Sequence, residues 1–339
     1  MSNLVVEVCE IENIRPHNNA DLLEIADVGG YQCVVLKGMY QPGSRVVYFP
    51  INTMLPRHWS DQFGVSQHLS FTKDAEKGRV RCARLRGEPS FGILMPANPD
   101  WPVGYDASAY YDCEKYVPPV KLSGGQSVSQ HPFFFKYTNI ENLRHYRDVL
   151  IPGEPVVITE KFHGMNCRVG VIEGEFLAGS HDYQRAEPED YSMNRFWFPL
   201  SLKPVKDLLN KLKDIHKQVI LFGEILGPSI QKFHYNQKRP IFMVFDIMID
   251  GKYLDWQDFQ ELCDDNDVPM VSVLNIGGYS LDIVKKLACG QSTLGGNFRE
   301  GVVVRPLTER THPAIGRVIL KYHSDDFLLR TIDDDSTDA

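Results

Sequence analysis

Six short segments between residues 160 and 321 carry reactive side chains in one order. They are residues 160–166 (EKFHGMN), 179–181 (GSH), 222–224 (FGE), 245–246 (FD), 300–303 (EGVV) and 318–321 (VILK). Together they supply two lysines, carboxylates on separate predicted strands and an aromatic ring among apolar residues. A lysine can attack the α-phosphate of a nucleoside triphosphate, and carboxylates can hold ribose or a divalent cation. Each segment alone is a weak signal, so the prediction of nucleotide chemistry depends on the ordered series.

Lys161 is the candidate nucleophile, because the apolar run 155–160 predicts a strand that leads directly into it. The turn 162–164 follows, and we expect Gly164 to adopt a backbone conformation closed to residues with a Cβ. A lysine nucleophile must be neutral, whereas a free lysine has a pKa of about 10.4, so deprotonation near pH 7.5 costs roughly 4 kcal/mol. Neighbouring cations or a divalent metal would offset that cost. An ordinary surface lysine in a turn is the alternative.

Two glutamates and a second lysine are candidates for holding a nucleotide and a metal. Glu224 follows a buried apolar run, and a carboxylate there should face a cleft rather than the core. Period-two alternation places Arg317, Ile319 and Lys321 on one strand face. If that strand pairs with the one beginning at Glu300, the glutamate and Lys321 converge on a site for phosphates and Mg²⁺ or Mn²⁺. Surface salt bridges are the alternative.

Phe245 lies in the apolar run 241–246, where it either packs in the core or stacks on a purine base. Asp246 is predicted on the opposite face, at the edge of a site. Two common phosphate-binding patterns are missing from the sequence, namely Gly-x-x-x-x-Gly-Lys-Ser/Thr and Gly-x-Gly-x-x-Gly. A nucleotide site in this chain is therefore neither a P-loop nor a Rossmann turn.

Residues 161–166, taken with the later segments, resemble the covalent nucleotidyltransferases, and among them the ATP-dependent RNA ligases. His163 and Asn166 resemble the T4-type RNA ligases more than DNA ligases or capping enzymes, which usually carry Asp at the position of His163. The segments 137–143 (YTNIENL) and 179–181, with a β module that precedes the transferase domain, resemble the Deinococcus-type RNA ligases. The resemblance covers nearly the whole chain.

The resemblance implies that ATP adenylylates Lys161 with release of pyrophosphate. AMP then passes to an RNA 5′-phosphate, and an RNA 3′-hydroxyl displaces it to seal the strand, as in RNA repair. The implied nucleotide contacts are Glu160 and Phe245 (adenine), Glu224 (ribose), Asn166 and Lys321 (phosphate), His163 and His181. The implied ligands of Mg²⁺ or Mn²⁺ are Glu300 and Glu224.

Two positions depart from the family pattern. The last segment usually reads Lys-x-Lys, but Ile319 replaces the first lysine, and Arg317 on the same predicted face is the candidate substitute. His181 stands where an arginine is common, so its contact with ribose or RNA is open. Two alternatives to an RNA ligase are a DNA ligase or GTP-dependent capping-type nucleotidyltransferase, and a non-catalytic RNA-binding protein with a decayed transferase fold.

The predicted fold class is α+β. It comprises an N-terminal OB-like β-barrel and a C-terminal nucleotidyltransferase domain, which is ATP-grasp-like, with antiparallel sheets and flanking helices. The predicted boundaries are 1–105 for the barrel, 106–132 for a linker, 133–332 for the adenylyltransferase domain and 333–339 for an acidic tail.

Local patterns predict several elements of the second domain. Apolar residues at helical spacing, the last of them Ile215, predict a helix over 203–217. Further helices are predicted near 255–264 and 280–289. Glu173-Gly174 predicts a tight hairpin turn.

Four arginines in the run 78–87 are two residues apart in pairs, so each pair should share a strand face: Arg79, Arg81, Arg84 and Arg86. OB folds hold single-stranded nucleic acid in a basic groove with stacking aromatic rings. The sequence therefore predicts RNA contact by these arginines, with three rings as stacking platforms: Tyr31, Tyr48 and Phe49. A solvated basic strand that only braces the catalytic domain is the alternative.

Composition limits the class of protein and its compartment. The 339 residues carry a formal net charge of −8, and the seven scattered cysteines form no Cys-x-x-Cys pair. An odd number of dispersed cysteines fits reduced thiols rather than a disulfide framework or a zinc site. Because the chain lacks an apolar run of about 20 residues, no membrane span is predicted. We expect an intracellular monomer whose partners are RNA ends, including ends in a nicked duplex.

Overall fold

The computed structural model describes residues 4–72, 75–117, 126–228, 230–231 and 233–330. The chain divides into two compact units. The first comprises Met1–Val120, Glu141–Arg147 and Asp325–Ala339, and the second comprises Lys121–Ile140 and Asp148–Ser324. Two short segments, 141–147 and 325–330, thus group with the first unit, whereas the predicted boundaries placed both in the second domain. The predicted acidic tail lies outside the described residues.

Most of the regular structure is β-strand. The strands in chain order are β1 Glu7–Pro16, β2 Leu23–Val28, β3 Tyr31–Leu36, β4 Arg45–Pro50, β5 Thr53–Pro56, β6 Leu69–Ser70, β7 Lys77–Val80, β8 Ala83–Leu85, β9 Glu88–Ser90, β10 Gly92–Pro96, β11 Glu114–Lys115, β12 Glu141–Asn142, β13 Pro155–Lys161, β14 Met165–Ile172, β15 Glu175–Gly179, β16 Gln184–Arg185, β17 Gln218–Leu226, β18 Ile241–Ile249, β19 Lys252–Tyr253, β20 Val273–Gly278, β21 Gly301–Pro306, β22 Thr311–His312, β23 Gly316–Arg317 and β24 Leu320–His323. The helices are α1 Arg57–Gln62, α2 Lys203–Leu212, α3 Trp256–Asp264, α4 Leu281–Ala288 and α5 Asp325–Arg330. Among the described residues, no helix is both long enough and apolar enough to cross a membrane.

In the first unit, antiparallel sheets enclose apolar side chains. The larger sheet has the order β10-β4-β1-β2-β3, and the smaller has the order β11-β5-β7-β6. Strand β1 shows the pattern that drives this packing, because Val8 and Ile11 are buried while Glu10 and Glu12 are exposed. Burial of such apolar faces is the main stabilising contribution to a sheet of this kind.

The second unit contains two further antiparallel sheets. The strands that this unit contributes to one sheet have the order β24-β21-β13-β20, and the other sheet has the order β16-β15-β14-β17-β18-β19. Helices α2 and α3 cover the second sheet, since Leu208 and Phe259 are buried in one cluster with Val169 and Leu221. A short turn joins β13 of one sheet to β14 of the other. Residues around this turn therefore lie where the two sheets meet.

The local predictions for this unit have mixed outcomes. Helix α2 ends at Leu212, and Ile215 is 70% exposed, so the prediction that Ile215 lies on the buried helix face is wrong. The reason is a turn in which the Ile215 N–H donates to the Leu212 carbonyl. The hairpin prediction is confirmed: Glu173 (φ +51°) and Gly174 (φ +89°) connect β14 to β15.

Candidate active site

Lys161 is the last residue of β13, next to the turn that joins the two sheets. Its Nζ donates a hydrogen bond to Glu300 Oε1 at 2.6 Å. The lysine side chain is 23% exposed, whereas the Glu300 side chain is 2% exposed. A buried carboxylate thus holds an amine that solvent and a ligand can still reach.

Glu300 is ionised despite its burial. Burial opposes ionisation, but the charge of Lys161 and a hydrogen bond with His323 outweigh it and lower the pKa of Glu300 to about 2. His323 Nε2 lies 3.4 Å from Glu300 Oε1. Burial, supported by the charge of Lys161, lowers the pKa of His323 from 6.5 to about 4, so its imidazole is neutral near pH 7.

The strand register brings Lys321 and His323 to the same face as Lys161. Lys161 lies opposite Gly301 on β21, and Gly301 lies opposite His323 on β24. Lys321 precedes His323 by two residues and therefore shares its face. Its charge contributes to the lowered pKa of His323, which places both near the Lys161–Glu300 pair. His323 is not predicted from the sequence, although alternation from Lys321 is a signal that could have found it.

Two hydrogen bonds fix the turn between β13 and β14. The His163 N–H donates to Tyr235 Oη at 2.6 Å, and the Gly164 N–H donates to Glu224 Oε1 at 3.0 Å. The φ of Gly164 lies outside the left-handed region, but a Cβ there would lie 2.4 Å from the Ile225 carbonyl oxygen. Close approach of β17, rather than a special φ, therefore requires this glycine. That corrects the expectation from the sequence.

The His163 side chain lies between the Glu300 carboxylate and the ring of Phe233. Its Nδ1 is 3.8 Å from Glu300 Oε2, and its ring centroid is 5.2 Å from that of Phe233. Phe233 contacts Phe298 at 5.3 Å and Tyr235 at 5.9 Å between ring centroids. Phe233 and Tyr235 are not predicted as site residues, because their loop shows neither helical nor strand periodicity.

Asn166 and Glu224 face each other across β14 and β17, where their Cα positions are paired in register. The Glu224 side chain is partly exposed, as expected for a carboxylate at a cleft. Asn166 Oδ1 is buried and accepts no hydrogen bond from any described residue. Buried amide oxygens are normally hydrogen-bonded, so this atom is a candidate contact for a bound group.

A β-bulge sets the side chains of Phe245 and Asp246. Consecutive residues of β17 pair with Asp246 and Val244, so Phe245 is the extra residue on β18. The ring of Tyr137 lies 4.9 Å from the ring of Phe245, and its Oη donates to Asp246 Oδ2 at 2.7 Å. Both side chains therefore meet the same neighbour, and the prediction of opposite faces is wrong. Phe245 is half-buried, which leaves part of its ring available.

Asp246 is fully buried and neutralises two arginines. Its carboxylate lies 2.9 Å from Arg305 Nη1 and 2.7 Å from Arg317 Nη2. Burial opposes ionisation, but the two guanidinium groups outweigh it and hold the pKa of Asp246 below its usual value. Because Asp246 belongs to one sheet and Arg305 to the other, this network ties the sheets together. Asp246 is therefore a structural connection and not the predicted site edge.

Arg317 is committed to that network and does not take the place of the missing lysine. Besides Asp246, it donates two hydrogen bonds of 2.6 Å to Glu309. Ile319 is 3% exposed and packs in an apolar cluster with Tyr137 and Phe222. Packing explains the apolar residue at this position, and Lys321 is the lysine of this segment that shares a face with Lys161.

Glu160 precedes the candidate nucleophile and is 1% exposed. Its Oε2 accepts hydrogen bonds from the backbone N–H of Thr293 at 2.8 Å and from Thr293 Oγ1 at 2.7 Å. Its Oε1 accepts none from the described residues. One carboxylate oxygen is thus fixed by the protein, and the other has free acceptor capacity.

The protein carboxylates of the site would not complete the coordination shell of a metal on their own. Among the described residues, no group of three or more His, Cys, Asp or Glu side chains could hold a metal ion. Glu300 Oε1 pairs with Lys161, and Glu300 Oε2 accepts no hydrogen bond from a described residue. Mg²⁺ in nucleotide enzymes is commonly held by one or two carboxylates, with substrate phosphates and water completing the shell. Glu300 Oε2 is a buried acceptor without a donor in the described part of the chain and fits such a shared site rather than an all-protein cage.

His181 lies in the turn between β15 and β16, and its Nδ1 is 3.3 Å from Asp182 Oδ1. Arg168 anchors this turn, because its Nε donates to the Ser180 carbonyl at 3.1 Å. Arg168 is fully buried, and burial lowers its pKa to about 10, which leaves it cationic near pH 7. This arginine is not predicted from the sequence, although it follows Asn166 by two residues on β14 and so shares its face.

In the first unit, the four arginines do not form one basic strand face. Arg79 on β7 is 7% exposed and donates to Asn52 Oδ1 at 2.8 Å. Arg81 lies between two strands, Arg84 lies on β8, and Arg86 occupies the β8–β9 turn at φ +47°. The chain changes sheet after Arg81, so the predicted groove is wrong for Arg79. Arg84 and Arg86 are exposed at the hairpin and remain candidates for RNA contact.

The predicted stacking platforms of the first unit are core residues. Tyr31 is 7% exposed, Tyr48 is 3% exposed and Phe49 is 0% exposed. Tyr48 Oη donates to the Phe91 carbonyl at 2.6 Å, which satisfies its polar group inside the core. The prediction that these rings stack on RNA bases is therefore wrong.

Comparisons with known proteins bear on both units. The RNA ligase family model matches residues 154–323, and an OB-fold domain model matches residues 5–97. A mutant of the Naegleria gruberi RNA ligase without ligand aligns with a TM-score of 0.79 and 24% identity, covering 98% of this chain and 100% of that one. Two further mutants, one with ATP and Mn and one with AMP and Mn, align with TM-scores of 0.79, identities of 25% and 24%, and coverage of 97% of this chain and 99% of each of theirs. A search of curated proteins found no match.

These matches confirm the predicted fold class, with an OB-like module followed by a transferase domain of antiparallel sheets. The family match extends over half of the chain and includes Lys161, Glu224, Glu300 and Lys321. The chain belongs to the RNA ligase family.

Proposed function

We propose that this protein is an ATP-dependent RNA ligase in which Lys161 carries AMP between ATP and an RNA 5′-phosphate. The observation that carries the proposal is the pairing of Lys161 with the buried Glu300, beside Lys321 on one strand face. The lysine supplies the amine that attacks, and Lys321 supplies positive charge for phosphate oxygens. The similar Naegleria gruberi RNA ligase has been solved with ATP and Mn, which supports ATP as the nucleotide.

Three displacements at phosphorus make up the proposed reaction. Neutral Lys161 attacks the α-phosphorus of ATP, an N–P bond forms, and pyrophosphate leaves as the bond to the bridging oxygen breaks. An oxygen of the RNA 5′-phosphate then attacks the AMP phosphorus, and the Lys161 amine leaves. Finally, an RNA 3′-hydroxyl attacks the 5′-phosphorus, loses its proton and releases AMP.

The Lys161–Glu300 ion pair describes the site before the first displacement, when Lys161 is still protonated. Glu300 holds the lysine as an ammonium, and an ammonium has no lone pair with which to attack. The lysine must therefore leave the ion pair and lose its proton when the nucleotide is in place. His323 is neutral and lies 3.4 Å from the same carboxylate oxygen, so it can keep Glu300 oriented after the lysine departs.

The remaining side chains suit the parts of the nucleotide. Glu160 Oε1 is a buried acceptor without a donor, which fits the exocyclic amine of adenine. The half-buried ring of Phe245 can stack on the purine. Glu224 can accept hydrogen bonds from ribose hydroxyls, and the Asn166 amide can donate to a phosphate oxygen. His163 lies beside Glu300 at the phosphate end of the site.

Mg²⁺ or Mn²⁺ would be held by Glu300, with Glu224 as a second ligand. When bound, the cation supplies charge that stabilises the phosphate oxygens. Glu300 Oε2 is suited to this role because it is buried and accepts no hydrogen bond from the described residues. Manganese in the similar Naegleria gruberi complexes supports use of a divalent metal.

A joining assay tests the proposed activity. The full chain is incubated with ATP, Mg²⁺ or Mn²⁺, and labelled RNA that carries one 5′-phosphate and one 3′-hydroxyl end. We expect a sealed product that is lost in Lys161→Arg and retained in Lys217→Arg, which changes an exposed lysine before β17. Failure of the unmodified chain to join RNA with either metal would refute the proposal.

We further propose that the natural substrates are broken RNA ends held in a nicked duplex. Membership in the RNA ligase family supports RNA ends as the substrate, and a role in RNA repair is part of this proposal. The same assay distinguishes the substrates when nicked RNA duplex, nicked DNA duplex and unpaired RNA ends are compared. Preferential sealing of nicked DNA would support the DNA ligase alternative instead.

A further inference from the structure

Three exposed aromatic rings on the second unit are not used by the nucleotide chemistry. Phe133 is 51% exposed, Phe135 is 40% exposed and Tyr183 is 49% exposed. Phe133 and Phe135 flank Phe134, which is fully buried, so their rings are turned outward while the segment is anchored. We call these three exposed rings the aromatic platform. Large exposed apolar side chains grouped on neighbouring segments commonly mark a binding site.

The two segments that carry the aromatic platform are fixed to each other. Arg168 Nη1 donates to the Phe134 carbonyl at 2.6 Å, and Arg168 Nε donates to the Ser180 carbonyl at 3.1 Å. Lys136 Nζ bonds to Asp182 Oδ1 at 3.2 Å. One buried arginine and one surface ion pair thus join residues 133–136 to residues 180–183. A surface held in this way loses little further freedom when it binds a partner.

Positive charge accompanies the rings. The Arg185 guanidinium lies 5.8 Å from the centroid of the Tyr183 ring. Arg168 is fully buried. It donates hydrogen bonds to the carbonyls of Phe134 and Ser180 and to Gln130 Oε1. Arg185 is 8% exposed, and Lys136 and Arg168 lie near the Asp182 carboxylate, so three cations accompany one carboxylate on these segments. This balance favours an anionic partner.

The aromatic platform borders the sheet face that carries the nucleotide residues. Arg168 and Asn166 are two residues apart on β14 and share a face. Phe134 is buried in the same apolar cluster that Phe245 packs against. A strand of RNA lying on the platform would therefore run beside the nucleotide site.

We propose that the aromatic platform binds an unpaired stretch of the RNA substrate that flanks the nicked duplex, with bases stacked on the rings of Phe133, Phe135 and Tyr183. Aromatic rings accept any base, and the net positive charge of the two segments attracts phosphates without reading sequence, so such binding tolerates many sequences. The inference rests on the proposed function and specifies where the enzyme binds its RNA substrate. RNA is favoured over a protein partner because cations outnumber carboxylates beside the rings and because the family joins RNA.

The test measures RNA binding and ATP labelling separately on the full chain. Fluorescence anisotropy reports binding of a short fluorescein-labelled single-stranded RNA, and labelling by ATP reports lysine adenylylation without RNA. The variant Phe133→Leu with Phe135→Leu retains apolar bulk but removes the rings, and Tyr183→Leu is a second, independent variant. Ile215→Ala is the matched control, since Ile215 is an exposed apolar residue of the same unit.

We expect the double variant to bind the single-stranded RNA about 10-fold or more weakly, from the usual contribution of base stacking. Tyr183→Leu should weaken binding about 5-fold or more on the same basis. ATP labelling should stay within about twofold of the unmodified chain for both variants, as for Ile215→Ala.

Two results would overturn the inference. RNA affinity equal to that of Ile215→Ala would assign the surface to a protein partner or a second copy of the chain. Loss of ATP labelling in both platform variants would assign the rings to folding or to the nucleotide site. If the unmodified chain binds RNA but is not labelled by ATP, the proposed function fails, and the affinity comparison still decides this inference.

Discussion

Replacement of Asp246 by asparagine is expected to weaken the second unit and its nucleotide pocket together. The Asp246 carboxylate is fully buried and lies 2.9 Å from Arg305 and 2.7 Å from Arg317. With an effective dielectric constant of about 20, each pair has a Coulomb energy of roughly 6 kcal/mol, most of which the desolvation of the ions offsets. The substitution leaves both cations without that charge, and losing one member of a buried ion pair costs about 3–5 kcal/mol. Arg317 keeps its ion pair with Glu309 after the substitution, so the cost should lie at the lower end of this range. We expect a loss of about 3 kcal/mol in the free energy of unfolding.

The assay is urea unfolding followed by tryptophan fluorescence, to which Trp256 beside Arg305 contributes. Asp246→Leu combined with Arg305→Met removes both charges and should recover much of the loss. The Michaelis constant for ATP in lysine adenylylation should also rise in Asp246→Asn, because the bulge that sets Phe245 loses its anchor. A loss of stability below about 1 kcal/mol, or an equal loss when Arg305 is already methionine, would refute the reasoning.

Three further changes have defined outcomes. Gly164→Ala places a Cβ 2.4 Å from the Ile225 carbonyl oxygen, so it should destabilise the second unit by about 2 kcal/mol or more and abolish ATP labelling; a stable, fully labelled variant would contradict this. The pKa of His323 is lowered to about 4 in the folded chain, so the unfolded chain takes up this proton first as pH falls below 6.5. The unmodified chain should therefore lose about 2–3 kcal/mol of stability between pH 6.5 and 4 that His323→Gln does not lose, and parallel urea-unfolding profiles would contradict the assignment. Arg84→Ala with Arg86→Ala should weaken RNA binding severalfold at low salt and reduce its salt dependence, whereas unchanged binding would favour the bracing alternative.

The sequence was sufficient to predict that Lys161, Glu300 and Lys321 come close together in the fold. Lys161 and Lys321 lie on two strands of one antiparallel sheet, where a two-residue period places both side chains on one face. Glu300 precedes the strand between them and reaches Lys161 through its side chain rather than through alternation. The predictions of an RNA ligase and of an OB-like module are confirmed. Their specific roles in catalysis, the domain boundaries, the intracellular location and the monomeric state stay predictions.

What could not be predicted depends on register shifts and on distant partners. The bulge at Phe245 turns Asp246 toward Tyr137, and no period-two pattern reveals one extra residue. Arg317 has the spacing that would alternate with Lys321, but it lies on β23 and Lys321 lies on β24 of another sheet. Asp246, which is remote in the chain, and the nearby Glu309 hold Arg317 in a buried network. Likewise, the change of sheet after Arg81 separates arginines that look continuous in the sequence.

The central claim is that Lys161 forms a covalent bond to AMP. The most direct measurement is mass spectrometry of the protein after incubation with ATP and Mg²⁺ or Mn²⁺, followed by proteolysis and mapping of the AMP-bearing peptide. The account predicts AMP on Lys161, no AMP in Lys161→Arg and undiminished AMP in Lys217→Arg. AMP on another side chain, or no AMP with either metal, would contradict it.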